Sequence, residues 1–460
     1  MKKRLLAFLS LSIALIMVLN LSACSKDSSK DTTAGSSAGT AEKTTETASQ
    51  PDKTDSEPAQ KEIKTLTVMC HASWVKQGPQ AVFDMVASRP ELGAKLELEK
   101  VPEGDSGEQV IQARFAAGEV PDILWWQAAA YVNTKIKAEQ FIDLKGDWMN
   151  DYPADALATP SYTVDGKLIV APFGSTDIFG MLYNKRVFAE AGVEVPKNWD
   201  ELLDACEKLK AKGVIPVYYS GKDAWTLQIF PLAAAPRETK NIDPTTLAAN
   251  MNVNKTKWVD LHLIEDAIAK AKELVDKGYV QKTFLSDTYV QAQNALLDGT
   301  SAMYPMNTWL AADLQKISPE KYNDIGFFNI PFDGDDKGVS GNPSGFLVPA
   351  KGENVELAKS IVFFMISKEA MTEYFRVMPG IPFIKGIEVN LTGLQKDALD
   401  LVNAGMTSPS FSDYTIYTKG PLEKYMQDLL VGAKTPRQVC EELDNDFAKQ
   451  AKAKGDPNWD

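Results

Sequence analysis

Cysteine and histidine are scarce in this chain, which has four cysteines and two histidines among 460 residues. No C-x-x-C pair is present, so the sequence does not support a thiolate metal site or a redox motif. Nucleophilic triads and most zinc sites depend on histidine. We therefore expect neither a metal site nor a bound cofactor. The four cysteines are Cys24, Cys70, Cys206 and Cys440.

Positive charge is also in deficit, because 62 acidic residues against 49 basic ones give a net charge of −13. No basic cluster follows the N-terminal region, which makes nucleic acid a poor candidate partner. Long apolar runs are missing after the N-terminal region as well. We therefore expect no membrane-spanning helix in the rest of the chain.

The N-terminal region has the pattern of an exported lipoprotein. A short basic stretch, Met1–Arg4, precedes an apolar one that ends at Leu21. Both are typical of a signal peptide, which we predict over residues 1–23. The run Leu-Ser-Ala-Cys at 21–24 resembles the bacterial lipobox. That resemblance implies a diacylglyceryl group, with palmitate-type acyl chains, on Cys24 and an anchor in the membrane.

Residues 24–62 are predicted to be a flexible linker, because they are mostly small, polar or charged and include no aromatic residue. The folded body would then be residues 63–460. That length exceeds what one hydrophobic core usually supports, so two lobes are expected.

Strand-like and helix-like segments alternate along the body. Residues 63–70, 95–101 and 122–126 have strand patterns, separated by helix patterns at 82–89 and 107–117. This alternation favours a parallel α/β sheet. Later segments repeat the pattern. Helices are predicted at 198–212, 264–277, 289–297 and 355–366, and strands at 214–219, 301–305 and 325–330.

Two motifs resemble the family 1 extracellular solute-binding proteins, the maltose-binding-protein-like proteins of ABC importers. Phe115–Ile123 matches the pattern F-x-x-G-x-x-P-D followed by a hydrophobic residue. Leu182–Leu202 is similar to the run Y-N-K-x-x-F, G, P and W-D-E-L. In the second motif, Asn198 stands where threonine is usual and serves equally well as an N-cap. Shorter similar runs occur at 296–309, 341–358 and 429–436.

The resemblance implies a two-lobed periplasmic-binding-protein type II fold, in which each lobe is a mainly parallel sheet flanked by helices. The first lobe would comprise 63–173 and 345–386, and the second 174–344 and 387–460. It also implies a carbohydrate ligand, ABC permease subunits as partners, no catalytic residue, and a monomer at the extracellular face of the membrane.

Tryptophans are the strongest candidates for contacting a sugar, since a flat aromatic face can stack on a pyranose. Trp225 and Trp309 are favoured because both fall in predicted loops. Trp74 is equally consistent with core packing. Trp126 is also a candidate, and one of it and Trp125 is expected to be buried.

Three polar residues complete the candidate ligand-binding set. Asp122 would lie near the ligand-facing edge of the first sheet if the family geometry holds, and is otherwise a turn-capping carboxylate. Asp177 and Asn342 fall in the predicted first and second crossings between the lobes. Outside those crossings they would be turn residues.

Three alternatives stay open, one of which is a lipoprotein that serves as a surface adhesin or chemoreceptor partner. The same fold could bind a non-sugar solute such as a polyamine, a peptide or a metal chelate. A secreted glycoside hydrolase would also be rich in tryptophans and carboxylates, but the matching motifs belong to a non-catalytic family.

Overall fold

The computed structural model describes residues 62–102, 104–334 and 336–459, which fall within one compact unit. The predicted signal peptide, Cys24 and the linker up to residue 61 lie outside the described residues. Within the described part, no helix combines the length and the apolar character needed to cross a bilayer.

Strands and helices alternate through this part of the chain, as the sequence predicts. The strands are β1 (Lys64–His71), β2 (Ala94–Val101), β3 (Ile123–Trp126), β4 (Thr163–Val164), β5 (Lys167–Leu168), β6 (Ala171–Pro172), β7 (Ser175–Asn184), β8 (Ile215–Val217), β9 (Ser301–Asn307), β10 (Ile325–Phe328), β11 (Gly338–Gly341), β12 (Gly345–Leu347), β13 (Ile381–Pro382) and β14 (Thr407–Pro409). The helices are α1 (Gln77–Ala87), α2 (Gly104–Ala117), α3 (Ala129–Lys135), α4 (Ala154–Leu157), α5 (Lys185–Ala191), α6 (Trp199–Ala211), α7 (Ile229–Leu232), α8 (Ala235–Glu238), α9 (Pro244–Asn252), α10 (His262–Asp276), α11 (Tyr289–Asp298), α12 (Leu310–Ile317), α13 (Pro319–Tyr322), α14 (Val355–Met365), α15 (Lys368–Val377), α16 (Gly393–Asn403), α17 (Leu422–Leu430) and α18 (Pro436–Lys454).

Helix α6 illustrates how the local sequence sets an element's bounds. The Asn198 side chain accepts a hydrogen bond from the backbone N–H of Glu201 and so caps the first turn. The helix is followed by Gly213, whose φ of 78° is a conformation that glycine adopts at little cost. The predicted N-cap role of Asn198 is therefore confirmed.

The chain builds two main sheets, each with its own hydrophobic core. The first lobe contains the sheet ordered β2-β1-β3-β12-β6, and its core draws on residues between 66 and 173 and between 346 and 384. The second lobe contains the sheet ordered β14-β11-β7-β9-β8, with β10 and β13 also paired to β7. Its core draws on residues between 178 and 339 and between 381 and 459. The residue bounds predicted for the two lobes stay a prediction.

The second sheet differs from a fully parallel one because of β7. This strand runs antiparallel to β9, β10 and β11, whereas β8 is parallel to β9 and β14 is parallel to β11. The reason is its origin. Strand β7 comes directly from β6 of the first lobe, so it runs away from that lobe while its neighbours run toward it.

Short connections place one edge of each sheet close to the other. Residues 173–174 join β6 to β7, and residues 342–344 join β11 to β12. Strand β13 adds a pair with the first two residues of β7. The edges at which these connections occur are called the cleft edges below.

Candidate functional site

Strand direction determines which residues lie at the cleft edge of the second lobe. This edge contains the amino end of β7 and the carboxyl ends of β8, β9, β11 and β14. Asp177 is near the start of β7, Trp309 follows β9, and Asn342 follows β11. Trp225 lies in a 3-10 turn, Ala224–Gln228, that comes after β8. Four of the predicted ligand-binding residues therefore lie along this edge.

Aromatic rings gather at this edge into an aromatic cluster formed by Phe179, Trp225, Tyr289 and Trp309. The Trp225 ring lies 5.1 Å from that of Tyr289 and 6.2 Å from that of Trp309, between centroids. Phe179 meets Trp309 edge-on at 6.3 Å. Trp225 keeps 36% of its surface exposed, so the cluster offers an accessible aromatic face of the kind that stacks on planar or ring-shaped ligands.

Asp177 is the carboxylate beside this cluster. Its Oδ1 accepts hydrogen bonds from the hydroxyls of Thr308 at 3.1 Å and Ser175 at 3.4 Å. Burial raises the pKa of Asp177 to about 6, although these hydroxyls and the charge of Lys76 act in the opposite direction. A carboxyl group with a pKa of about 6 can accept a hydrogen bond from a solute hydroxyl near neutral pH.

The cleft edge of the first lobe contributes the residues that follow β1. Trp74 is partly exposed, and its ring contacts those of His71 at 5.0 Å and Trp125 at 5.4 Å. Lys76 comes two residues later and reaches the second lobe, where its Nζ lies 2.9 Å from both carboxylate oxygens of Asp313 in α12. The two cleft edges are thus in direct contact.

Asn342 lies in the segment that connects β11 to β12, and it is partly exposed. The hydroxyl of Tyr162 in the first lobe donates to the backbone oxygen of the next residue, Pro343, at 2.9 Å. This bond fixes the connection beside Asn342 without using its side chain. The side chain therefore stays a candidate ligand contact.

Asp413 is a carboxylate that sequence reasoning did not select. It lies in the 3-10 turn Phe411–Tyr414, which follows β14 at the same edge. Its Oδ2 is buried and finds no hydrogen-bond partner among the described residues. Burial raises the pKa of Asp413 to about 7. Burial, and after it the charge of Asp413, raises the pKa of the Tyr162 hydroxyl in the first lobe.

The expected position of Asp122 is wrong. It comes directly before β3, at the amino end of that strand and away from the cleft edge, and it lies beside Thr67 of β1. Its carboxylate accepts hydrogen bonds from the backbone and hydroxyl of Thr67 at 2.8 and 3.1 Å, and from the Asn354 amide at 3.1 Å. Asp122 ties β1, β3 and the start of α14 together, which differs from the turn-capping role weighed as its alternative.

The prediction that Trp126 is an accessible ligand contact is also wrong. It is fully buried in β3, where its ring packs edge-on against Tyr131 at 5.8 Å. Trp125 is buried too, at 4% exposure, so both tryptophans of this strand belong to the core.

Sequence reasoning missed several further residues of the cleft edges. No local pattern could have paired Lys76 with Asp313, because 237 residues separate them. Tyr289 was seen only as the start of a helix, yet its hydroxyl donates to Asp313 at 3.0 Å. Asp413 stands in a short turn without periodicity.

Comparison with known proteins identifies the family. The family model for bacterial extracellular solute-binding proteins matches residues 91–398. A multiple sugar-binding protein from Streptococcus mutans is 25% identical over 66% of this chain and 71% of its own length. A diacetylchitobiose binding protein, NgcE, from Streptomyces coelicolor is 25% identical over 60% of this chain. The alignment spans 61% of that relative's length, which is less than two thirds.

Solved structures share the fold at low identity. A chitin oligosaccharide binding protein superposes with a TM-score of 0.69 and 22% identity, covering 85% of this chain and all of the other. The protein RafE in complex with raffinose gives a TM-score of 0.70 and 20% identity, covering 84% of this chain and 99% of the other. These likenesses confirm the predicted two-lobed α/β fold.

Proposed function

This chain belongs to the bacterial extracellular solute-binding proteins, and we propose that it captures a sugar or oligosaccharide between its two lobes and delivers it to the permease of an ABC importer. The observation that carries this proposal is the aromatic cluster at the cleft edge, with one face accessible and the Asp177 carboxylate beside it. Aromatic faces with a few placed polar groups suit a pyranose ring and its hydroxyls. The names of the similar proteins support the same class of solute.

A thermal-shift screen tests the class of solute. Raffinose, stachyose and N,N′-diacetylchitobiose are the first probes, and spermidine is the non-sugar control. A solute that binds only the folded state raises the melting temperature, by the equivalent of about 2.7 kcal/mol when its concentration is 100 times Kd. A shift with spermidine, and none with any mono- or oligosaccharide, would contradict the proposal.

We propose that the protein performs no reaction on its solute. The family binds solutes, and a hydrolase would need two carboxylates placed on either side of a glycosidic bond. The test is to incubate the protein with each sugar that binds and to measure released reducing ends. Time-dependent release above that of a boiled sample would instead favour the glycoside hydrolase alternative.

We also propose that Cys24 carries the lipid anchor that keeps the protein, as a monomer, at the extracellular face of the membrane. Two acyl chains bind a bilayer stably, whereas one binds only marginally. The Cys24→Ala variant is expected to be released into the medium or to remain unprocessed. Normal processing together with unchanged membrane partitioning would overturn the lipobox assignment. The Cys206→Ala variant is the control, since that cysteine is buried in the second lobe.

A further inference from the structure

Among the residues that the structure describes, one ion pair crosses between the lobes. Lys76 follows β1 of the first lobe, and Asp313 lies in α12 of the second. The Nζ of Lys76 is 2.9 Å from both Asp313 oxygens, and the side chains are 29% and 25% exposed. Within the described part of the chain, the other ion pairs that we find join residues of a single lobe. The Lys434–Glu442 pair of the second lobe, at 2.7 Å, is an example.

The groups around Lys76 strengthen its link to the second lobe. Asp313 is also held in place by its own lobe, because its Oδ2 accepts a hydrogen bond from the Tyr289 hydroxyl. Asp177 is a second carboxylate of that lobe, close enough for the charge of Lys76 to lower its pKa against the effect of burial. A single cation from the first lobe therefore faces two carboxylates of the second.

We infer that Lys76 is a positioning residue for solute capture, whose ion pair with Asp313 holds the two lobes together across the cleft before any solute is bound. The pair raises the fraction of molecules in the closed arrangement, and a larger competent fraction gives a tighter apparent affinity without any contact to solute. The purpose assigned to closure rests on the proposed function. The effect on lobe separation does not, because it is a property of the solute-free protein.

The magnitude follows from the partial exposure of the pair. Ion pairs open to solvent contribute up to about 1 kcal/mol, which corresponds to about a fivefold change in an equilibrium. Salt weakens such pairs, and at 1 M ionic strength the screening length falls to about 3 Å. The closing effect should therefore be measurable at low salt and much smaller at high salt.

Distances between spin labels test this inference in the solute-free full chain. The labels are carried by unnatural amino acids at the positions of Ala87, at the end of α1, and Lys212, after α6, both of which are exposed. Double electron–electron resonance then gives the populations of short and long lobe separations. Lys76→Met and Asp313→Asn are each expected to lower the ratio of short to long separations about fivefold at low salt, and hardly at all in 1 M salt.

A double-mutant cycle separates the pair from other effects of each substitution. If the ion pair acts as inferred, adding Asp313→Asn to Lys76→Met changes the distribution no further. Lys76→Arg should restore most of the wild-type distribution, and Lys434→Met, which breaks a pair within one lobe, should leave it unchanged. Wild-type distributions in both single variants, or simple addition of their effects, would overturn the inference. No sugar is used, so a failure of the proposed solute class would leave this result unaffected.

Discussion

The first lobe keeps two neighbouring tryptophans inside its core, whereas the second lobe presents two at the cleft edge. Trp125 and Trp126 occupy the last positions of β3 and are 4% and 0% exposed. Trp225 and Trp309 come after the strands of the second sheet, in a 3-10 turn and at the start of α12. The same residue type thus serves packing in one lobe and a surface in the other, according to whether it lies within a strand or beyond its end.

Sheet coverage explains the burial in the first lobe. Alternate residues of a strand point to opposite faces, so a strand exposed on one side would bury only every second residue. All four residues of β3 are buried, which is typical of a sheet covered on both faces. Trp125 contacts the rings of Phe83, Phe173 and Phe346 at 5.3 to 6.2 Å. Both tryptophans of this strand are therefore held in the core.

The carboxylates of the two lobes also differ, in the number of hydrogen bonds that each receives. Asp122 of the first lobe receives three hydrogen bonds from Thr67 and Asn354. Asp177 of the second receives bonds from two hydroxyls, and the Oδ2 of Asp413 receives none from the described residues. Hydrogen-bonded buried groups stabilise structure, whereas buried groups with unused capacity are typical of functional sites.

The largest expected effect is on stability, and it concerns the buried tryptophans of the first lobe. Trp126→Ala should lower the free energy of unfolding by about 3–5 kcal/mol, because it removes a large side chain from a close-packed core. Denaturant unfolding of the full chain measures it. Trp225→Ala is the matched variant in the second lobe and should cost less than about 1 kcal/mol, since its ring is partly exposed.

Trp126→Phe gives a control for the cavity. Phenylalanine keeps an aromatic ring and removes the indole N–H, which finds no partner among the described residues. The loss should therefore be smaller than for alanine. Equal stability of Trp126→Ala and Trp225→Ala would break the contrast between the two lobes.

The next effect concerns the carboxylates and depends on pH. Burial raises the pKa of Asp413 to about 7 from an ordinary value of 3.8. Between these values the folded protein holds a proton that the unfolded chain has lost, so this group's stabilisation is full below pH 3.8 and is lost as the pH rises through 7. Asp413→Asn removes the titration. The stability of this variant relative to wild type should increase between pH 5 and pH 8, by at most about 3 kcal/mol, because about two pH units of this interval lie below the folded pKa.

Asp122→Asn is the control in the first lobe. Its amide nitrogen cannot accept the bonds from Thr67, so this variant should be less stable than wild type by about 1–3 kcal/mol at both pH values. Urea titrations of wild type and the two variants at pH 5 and pH 8 measure these differences in the free energy of unfolding. A gain for Asp413→Asn that shrinks as the pH rises would show that Asp413 is not buried as a carboxylate against the first lobe.

The sequence predicts the elements of this fold well, because local patterns define them. The strand pattern at 63–70 corresponds to β1 at Lys64–His71, and the helix pattern at 289–297 corresponds to α11 at Tyr289–Asp298. The family motifs add the two-lobed arrangement, which local periodicity cannot supply. The direction of β7 was not predicted, since it depends on the strand's origin in the other lobe.

The site is predicted less completely, because its residues meet only through topology. Trp225 and Trp309 could be chosen since both fall outside periodic segments, and the structure brings their rings within 6.2 Å of each other. Asp122 could not be assigned to the correct end of β3 from a motif alone. Contacts between distant residues, such as that of Lys76 with Asp313, have no local signal at all.

The smallest expected effect concerns the cleft edge of the second lobe. Trp225→Ala and Trp309→Ala should weaken solute binding while the protein stays folded. An aromatic contact contributes about 0.5–1.5 kcal/mol beyond the apolar area that it buries. Each variant should therefore bind about tenfold more weakly to the sugar that raises the melting temperature most, as measured by isothermal titration calorimetry. Trp309 also packs against Phe179, so its removal should lower stability more than that of Trp225.

Phenylalanine at either position separates stacking from the other roles of these residues. Trp225→Phe keeps a ring against Tyr289 and should recover part of the lost affinity, because a flat apolar face remains at the cleft edge. The matched variant is Trp258→Phe, at a tryptophan buried in the second lobe's core, which should change stability and leave the affinity of the folded protein unchanged. If Trp225→Ala and Trp309→Ala both bind the sugar as wild type does, the two cleft-edge tryptophans are packing residues like those of β3, and the contrast between the lobes has no bearing on solute capture.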